Sequence, residues 1–269
     1  MMDVIGFREI LYRKRFVGQY NIRRKNRVIS MEEIDVKKIP ILFEDETLLV
    51  CVKPQGVPSQ ADRSNDEDVL NYFKSYIYDK EELEEEPYLA VVHRLDRPVG
   101  GIMVLAKNQQ AAADLSDQVQ DGNMVKFYQA ILTGELPEEC GTLEDYLLKD
   151  GKTNTTKVVA KGTKGAKKAV LDYEVLDVFE TDEGILSYVL IQLVTGRHHQ
   201  IRVQMANQGA GIWGDTKYNP RFQKVKRKYQ QIGLYATRLE FDHPVTGEHL
   251  VFKNEPEGEA FEIIEMEDF

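Results

Sequence analysis

Short apolar segments separated by turn residues are the feature of this sequence that most restricts its fold. Five segments have the length and the apolar content of β-strands: residues 48–52, 101–106, 127–132, 169–178 and 185–194. A further segment, 234–252, is interrupted by Pro244-Val245-Thr246-Gly247 and is predicted to be a hairpin that turns there. The chain should therefore bury its core mainly between β-strands.

Three other segments have the apolar spacing of amphipathic helices. They are residues 69–78, residues 111–120 and residues 198–208. Gly122 and Gly209 follow the second and third of them and are predicted to stop these helices. Many strands, few helices and several hairpins together predict an α+β domain built on a mainly antiparallel sheet.

The length and composition allow one large domain, alone or with a small appendage. The chain has 269 residues, of which 42% are hydrophobic. Residues 1–39 are predicted to be a basic N-terminal arm or small appendage, 40–258 the main domain and 259–269 an acidic tail. No apolar run approaches the roughly 18 residues of a membrane helix, and the N-terminus lacks the apolar region of a signal peptide. We therefore expect a cytoplasmic protein that contacts no membrane.

Basic residues are clustered although the net charge of the chain is −10. More than half of the 35 lysines and arginines lie in three stretches: 8–27, 149–168 and 217–228. Any one such stretch is compatible with an ordinary solvated surface. Three of them on an acidic chain favour a polarised surface, as in proteins that bind nucleic acids.

The first unusual motif lies just before the predicted strand 101–106. His93-Arg94-Leu95-Asp96-Arg97 is followed there by a proline and two glycines. Charged groups on a stiff loop at the entrance of a strand are well placed to face a cleft, although a surface salt-bridge cluster would have the same sequence. Asp96 is the one acid between two arginines, and we expect it to be ionised if either arginine approaches it. An ionised carboxylate suits a nucleophile or a base better than a general acid.

The second unusual motif is Thr195-Gly196-Arg197-His198-His199-Gln200-Ile201-Arg202. At helical spacing Arg202 lies near the inward face formed by Ile201 and Met205. It should therefore have a carboxylate partner, because an unpaired buried charge is costly. The two histidines could in principle bind a metal. However, adjacent histidines are expected to point in different directions, and no HxxxH or HxxE pattern accompanies them, so we predict no metal site.

Four motifs in this order resemble those of RluA-type pseudouridine synthases. They are His93-Arg94-Leu95-Asp96, Lys126-Phe127-Tyr128, the 195–202 motif and Gly214-Asp215-Thr216-Lys217-Tyr218. Residues 41–54 and 243–247 are similar to the first strand pair and the closing hairpin of the family. The resemblance covers residues 40–255 and implies that 40–258 is a catalytic domain. It also implies a mixed, largely antiparallel sheet with flanking helices and a central RNA-binding cleft.

The resemblance also implies the roles of individual residues. Asp96 matches the essential aspartate of the family, Tyr128 the tyrosine that stacks on the target base, and Arg202 the arginine that pairs with the aspartate. Leu234 matches an apolar residue that lines the pocket, and Arg94 the arginine that fills the helix stack when the base flips out. Further substrate-binding residues are predicted within the two motifs: His93, Arg197 and His199.

The function implied is the isomerisation of specific uridines in ribosomal or transfer RNA to pseudouridine. The base must leave its stack before the N1–C1′ bond breaks and C5 joins C1′. No redox or phosphoryl transfer is involved, so no cofactor is expected. The expected partner is a uridine-containing RNA stem-loop, bound by a monomer. Two alternatives are an RNA-binding or scaffold protein without turnover, and a carboxylate glycosidase, which would need a second acid at a defined distance from Asp96.

Overall fold

The computed structural model describes residues 39–62, 64, 66–182, 184–224 and 231–265. Apart from Ile39, the predicted basic arm lies outside these residues, as do positions 225–228 of the third basic stretch. None of the helices within the described ranges is long and apolar enough to span a membrane.

Strands make up most of the regular structure. They are β1 (Ile41–Glu44), β2 (Leu48–Lys53), β3 (Ala90–Val91), β4 (Gly100–Ala106), β5 (Val125–Thr133), β6 (Cys140–Asp150), β7 (Thr155–Val159), β8 (Lys167–Thr181), β9 (Gly184–Leu193), β10 (Leu234–Asp242) and β11 (His249–Lys253). The helices are α1 (Val69–Lys80), α2 (Gln109–Asp121), α3 (Gln200–Asn207), α4 (Pro220–Gln223) and α5 (Glu259–Glu265). All the strands and helices predicted from the sequence are present, including the 234–252 hairpin.

The strands form one mixed, largely antiparallel sheet, as predicted. Its order is β1-β2-β4-β10-β5-β9-β8-β6-β7, with β3 paired to β4 and β11 paired to β10. The pairing of β4 with β10 is parallel, and the other described strand pairs are antiparallel. The parallel pair joins the N-terminal strands to the rest of the sheet.

Gly101 allows β4 and β10 to pair in parallel, and we call this pairing the central junction of the sheet. Its φ is +114°, and a Cβ atom there would lie 2.2 Å from the carbonyl oxygen of Ala236 and 2.6 Å from its nitrogen. Any larger residue would force β4 and β10 apart, because the obstacle is backbone rather than a flexible side chain. The junction therefore brings the loop before β4, which carries Asp96, close to the start of β10 at Leu234.

The strands β2 and β4 are buried on both faces, which explains why their sequences do not alternate between apolar and polar residues. One face packs on α1 through Leu49, Cys51, Met103 and Leu105. The other face packs on α2 through Leu48, Val50, Ile102 and Val104. Helix α2 begins at the N-cap Asn108 and ends at Gly122, whose left-handed conformation is the predicted stop.

The elements that were not predicted are the short strand β3, the short helix α4, the β6–β7 hairpin and helix α5. The hairpin β6–β7 was not predicted, because its strands lie near a sheet edge, carry many charged residues and bury few side chains. The segment predicted as an acidic tail begins with α5, where Ala260 and Phe261 are buried against Tyr235. Part of that segment therefore packs against the main domain. The prediction missed this because Ala260 and Phe261 are two apolar residues in an otherwise acidic segment.

Candidate active site

A buried arginine on α3 binds two carboxylates. Arg202 Nη1 donates to Asp96 Oδ2 at 3.0 Å, while Nε and Nη2 donate to the two oxygens of Asp215 at 2.7 and 2.9 Å. The expected carboxylate partner of Arg202 is thus present, and so is a second one. Asp215 belongs to a motif noted in the sequence, but no role was predicted for it.

The two carboxylates differ in solvent exposure and in the number of hydrogen bonds that they accept. The side chain of Asp215 is 1% exposed and that of Asp96 is 28% exposed. Asp215 uses both oxygens on Arg202 and also accepts the backbone N–H of Lys217 at 2.9 Å. Asp96 is bound through Oδ2 alone, and no group in the described part of the chain donates a hydrogen bond to its Oδ1. Asp96 therefore has one oxygen without a hydrogen-bond donor among the described residues, whereas both oxygens of Asp215 are occupied.

The charge of Arg202 is fixed by this arrangement. Burial of the guanidinium lowers its pKa, but hydrogen bonds and charge interactions with Asp215 and Asp96 outweigh burial and hold the pKa above its usual range. A permanent cation with a bidentate anchor on Asp215 presents its remaining N–H group to Asp96 in a fixed direction. The arginine can therefore orient the Asp96 carboxylate.

His199 completes the polar side of the site. Its Nε2 lies 3.7 Å from Asp96 Oδ2, and its Nδ1 lies 2.6 Å from the hydroxyl of Tyr218. That hydroxyl accepts the N–H of Thr156 at 2.9 Å, which leaves its proton free for His199 Nδ1. The arrangement favours the tautomer that carries its proton on Nε2, facing Asp96.

The expectation that His198 and His199 point in different directions is wrong. Their rings stack with centroids 3.7 Å apart and an interplanar angle of 24°. The reason is the left-handed backbone of His199, with φ +52° just before α3, which turns its ring back over that of His198. His198 in turn contacts the Thr156 hydroxyl at 2.7 Å and Asn154 Oδ1 at 3.1 Å.

An apolar wall adjoins these polar groups. Tyr128 of β5 and Leu234 of β10 are buried in one cluster with Leu95 and Ile201, the neighbours in sequence of Asp96 and Arg202. Burial raises the pKa of Tyr128, and the negative charge of Asp96 raises it further, so its hydroxyl stays neutral. The fold thus gathers Asp96, Tyr128, Arg202, Leu234 and His199 at the central junction of the sheet.

The other three predicted residues lie outside this group. Arg94 is exposed, and its side chain has no hydrogen bond or ion pair with the described residues. His93 turns toward the sheet, where its Nε2 accepts the N–H of Val104 at 3.1 Å, and burial lowers its pKa to about 3. Arg197 is exposed and donates through Nε to the carbonyl of Lys168 at 2.9 Å. Their roles in substrate binding stay predictions.

A buried lysine supports the loop that carries Asp96. Lys53 is fully buried, and its Nζ donates to the carbonyls of Pro54, Val57 and Arg97 at 2.9, 2.7 and 3.2 Å. Burial lowers the pKa of Lys53 to about 7, while the negative charge of Asp96 raises it. The sequence indicated only a turn at this lysine, because the carbonyl from the distant Asp96 loop becomes its neighbour only in the folded chain.

Comparison with known families identifies the class of protein to which this chain belongs. It is a pseudouridine synthase, an isomerase that acts on RNA. The chain belongs to the RNA pseudouridylate synthase family, because the model of that family matches residues 47–207, from β2 to the end of α3. The resemblance to RluA-type enzymes is thereby confirmed.

Individual relatives agree with this assignment. An uncharacterized RNA pseudouridine synthase of Bacillus subtilis, YlyB, is 31% identical over 239 residues, which cover 87% of this chain and 76% of that protein. Ribosomal large subunit pseudouridine synthase D of Pseudomonas aeruginosa is 32% identical over 221 residues, covering 78% of this chain but only 66% of that protein. The solved structure of human RNA pseudouridylate synthase domain containing 1 has the same fold, with a TM-score of 0.67 and 22% identity over 84% of this chain and 86% of that one.

The histidines of the site should not titrate during catalysis. Burial and the nearby Arg202 lower the pKa of His199 to about 2, and burial with Lys149 lowers that of His198 to about 4. Both rings are therefore neutral between about pH 5.5 and 8, where an ordinary histidine would change its charge. We expect the pH profile of the single-turnover rate to keep its shape in His199→Gln. An inflection near the usual histidine pKa that this substitution removes would contradict the expectation.

Proposed function

We propose that the protein converts a specific uridine of a structured RNA to pseudouridine with Asp96 as the catalytic carboxylate. The observation that supports this proposal is the asymmetry of the two carboxylates on Arg202. Asp96 is partly exposed, is held through one oxygen and has the other free, whereas Asp215 is buried and fully occupied. A reacting carboxylate needs both a fixed direction and an open oxygen.

The reaction requires little beyond this carboxylate. The N1–C1′ bond breaks, the uracil turns, C5 joins C1′, and the hydrogen of C5 is replaced by one on N1, so that reactant and product are isomers. Asp96 acts at the sugar, either by attack on C1′ or by removal of a sugar proton. Both routes require a carboxylate held in a fixed direction, which the hydrogen bond from Arg202 Nη1 to Asp96 Oδ2 would provide.

The apolar wall suits the part of the reaction in which the base is detached. Tyr128 would stack on the uracil and Leu234 would close the pocket beside it, so that the base turns without escaping to water. Arg94, whose side chain is exposed on the same loop as Asp96, would occupy the place that the base leaves in the RNA stack. His93, Arg197 and His199 would assist in binding the RNA.

The name of one relative suggests which kind of RNA is the substrate. The protein from Pseudomonas aeruginosa is named as an enzyme of the ribosomal large subunit, so we propose large-subunit ribosomal RNA as the substrate. The test is a map of pseudouridines in total RNA from the source organism with the gene, without it, and with the gene carrying Asp96→Asn. One or a few uridines should lose their modification without the gene and should not regain it with the variant. Maps that are identical in all three strains would refute the proposal.

A further inference from the structure

A cavity beside the catalytic residues carries positive charge but no acid. It has a volume of about 210 Å³, and its charged or titratable lining residues are Lys149, Lys167, Arg197 and His198. We call it the basic pocket. It lies between the β6–β7 hairpin, β8 and the segment that leads into α3.

The strand register explains why these lysines point into one space. Lys149 of β6 pairs with Thr156 of β7, and Lys167 of β8 pairs with Leu147 of β6. Paired residues of antiparallel strands project from the same face, as do residues two apart on one strand. Leu147 packs against Val203 of α3, so this shared face is the one turned toward the helix of the active site.

The next lysine along β8 shows the contrast. Lys168 projects from the opposite face, where its Nζ lies 2.8 Å from Glu144. Lys149, Lys167 and Arg197 form no ion pair with any residue that the structure describes, and the lining of the pocket contains no aspartate or glutamate. Arg197 uses its Nε on a backbone carbonyl, which leaves its two terminal nitrogens available. Like charges that are gathered without a counter-charge indicate a site for an anion.

The pocket is linked to the catalytic carboxylate through two stacked rings. His198 lines the pocket, its ring stacks on His199, and His199 faces Asp96. Lys217 adds a further cation nearby, since its Nζ donates to the carbonyl of Asn154 at 3.0 Å and so joins the second and third basic stretches. An anion in the pocket would therefore lie close to a group that reacts at Asp96.

We propose that the basic pocket binds a backbone phosphate of the RNA strand that carries the target uridine, near that uridine. The inference rests on the proposed function and adds to it the place where the strand is held. Two ammonium groups and the terminal nitrogens of an arginine are the donors that phosphate oxygens prefer. The pocket also explains how a chain of net charge −10 can hold RNA beside its active site.

The test compares two double variants of the full chain. Lys149→Gln with Lys167→Gln removes two charges from the pocket. Lys161→Gln with Lys168→Gln removes two charges from the opposite face, where Lys161 lies over the ring of Tyr146 and Lys168 pairs with Glu144. The RNA probe is a stem-loop that contains a uridine identified by the pseudouridine map. Its affinity is measured at several salt concentrations, and thermal unfolding checks that both variants are folded. The pocket variant should bind several-fold more weakly with a salt slope reduced by about 0.7, and the control should match the parent.

A second measurement locates the phosphate. Stem-loops in which one linkage is a neutral methylphosphonate should reveal a position near the target uridine where the substitution weakens binding by the parent but not by the pocket variant. Inorganic phosphate should compete only weakly, because it lacks the rest of the strand. Equal affinity and slope for parent and pocket variant, or no position at which the two respond differently, would overturn the proposal. Pseudouridine formation by the parent on the same RNA separates this failure from a failure of the proposed function.

Discussion

Asp96→Asn should abolish pseudouridine formation while the protein still folds and binds RNA. Asparagine has the size of aspartate, and its amide oxygen can still accept the hydrogen bond from Arg202 Nη1, which spans 3.0 Å in the parent. The change removes the negative charge and with it the ability to attack C1′ or to take a sugar proton. We expect the single-turnover rate to fall by more than the roughly 10²–10⁴-fold that a positioned acid–base group contributes, because the carboxylate itself takes part in the reaction.

A matched control is available on the neighbouring loop. Asp66→Asn makes the same change in charge at an exposed residue that pairs with Arg97, and surface pairs of this kind contribute little to stability. Its rate should stay close to that of the parent. If Asp96→Asn retained a rate within about tenfold of the parent, which is far less than removal of a reacting group costs, Asp96 would have no direct part in the chemistry.

The parts of the fold that could be predicted are those with a local signal. Strands β2 and β4 are buried on both faces and appear as continuous apolar runs, and α2 has an N-cap and a glycine stop within its own sequence. The parallel pairing of β4 with β10 has no such signal. It joins Gly100 and Gly101 to Tyr235 and Ala236, residues far apart in the chain, and depends on a close backbone approach that a sequence does not display.

The site also contains some contacts that have a sequence signal and others that depend on residues far apart in the chain. An arginine on the apolar face of α3 required a carboxylate, and the family motif indicated Asp96, so this pair could be expected. Asp215 was not expected because nothing in the sequence indicates that a loop after α3 folds back onto Arg202. The stacked histidines depend on the backbone angle of one residue, and the buried Lys53 depends on a carbonyl of the distant Asp96 loop. These three features were missed because each depends on the three-dimensional structure and not on a local sequence pattern.

Arg202→Met should impair both stability and catalysis, for two different reasons. Methionine fills much of the volume but leaves Asp215, at 1% exposure, as a buried anion without its cation. Removing one partner of a buried ion pair costs about 3–5 kcal/mol, so chemical denaturation should show a loss of that order. Asp96 loses its only charged hydrogen-bond donor among the described residues, so the single-turnover rate should also fall steeply under conditions where the variant is folded.

A second substitution should separate these two effects. Asp215→Asn in the Arg202→Met background removes the stranded charge, while the amide oxygen can still accept the N–H groups of Lys217 and Tyr218. We expect this double variant to regain most of the lost stability but not the rate, because Asp96 is still without its orienting donor. Recovery of the parental rate together with stability would show that Arg202 acts only as a structural partner of Asp215. An Arg202→Met variant as stable as the parent would show that Asp215 does not need its cation.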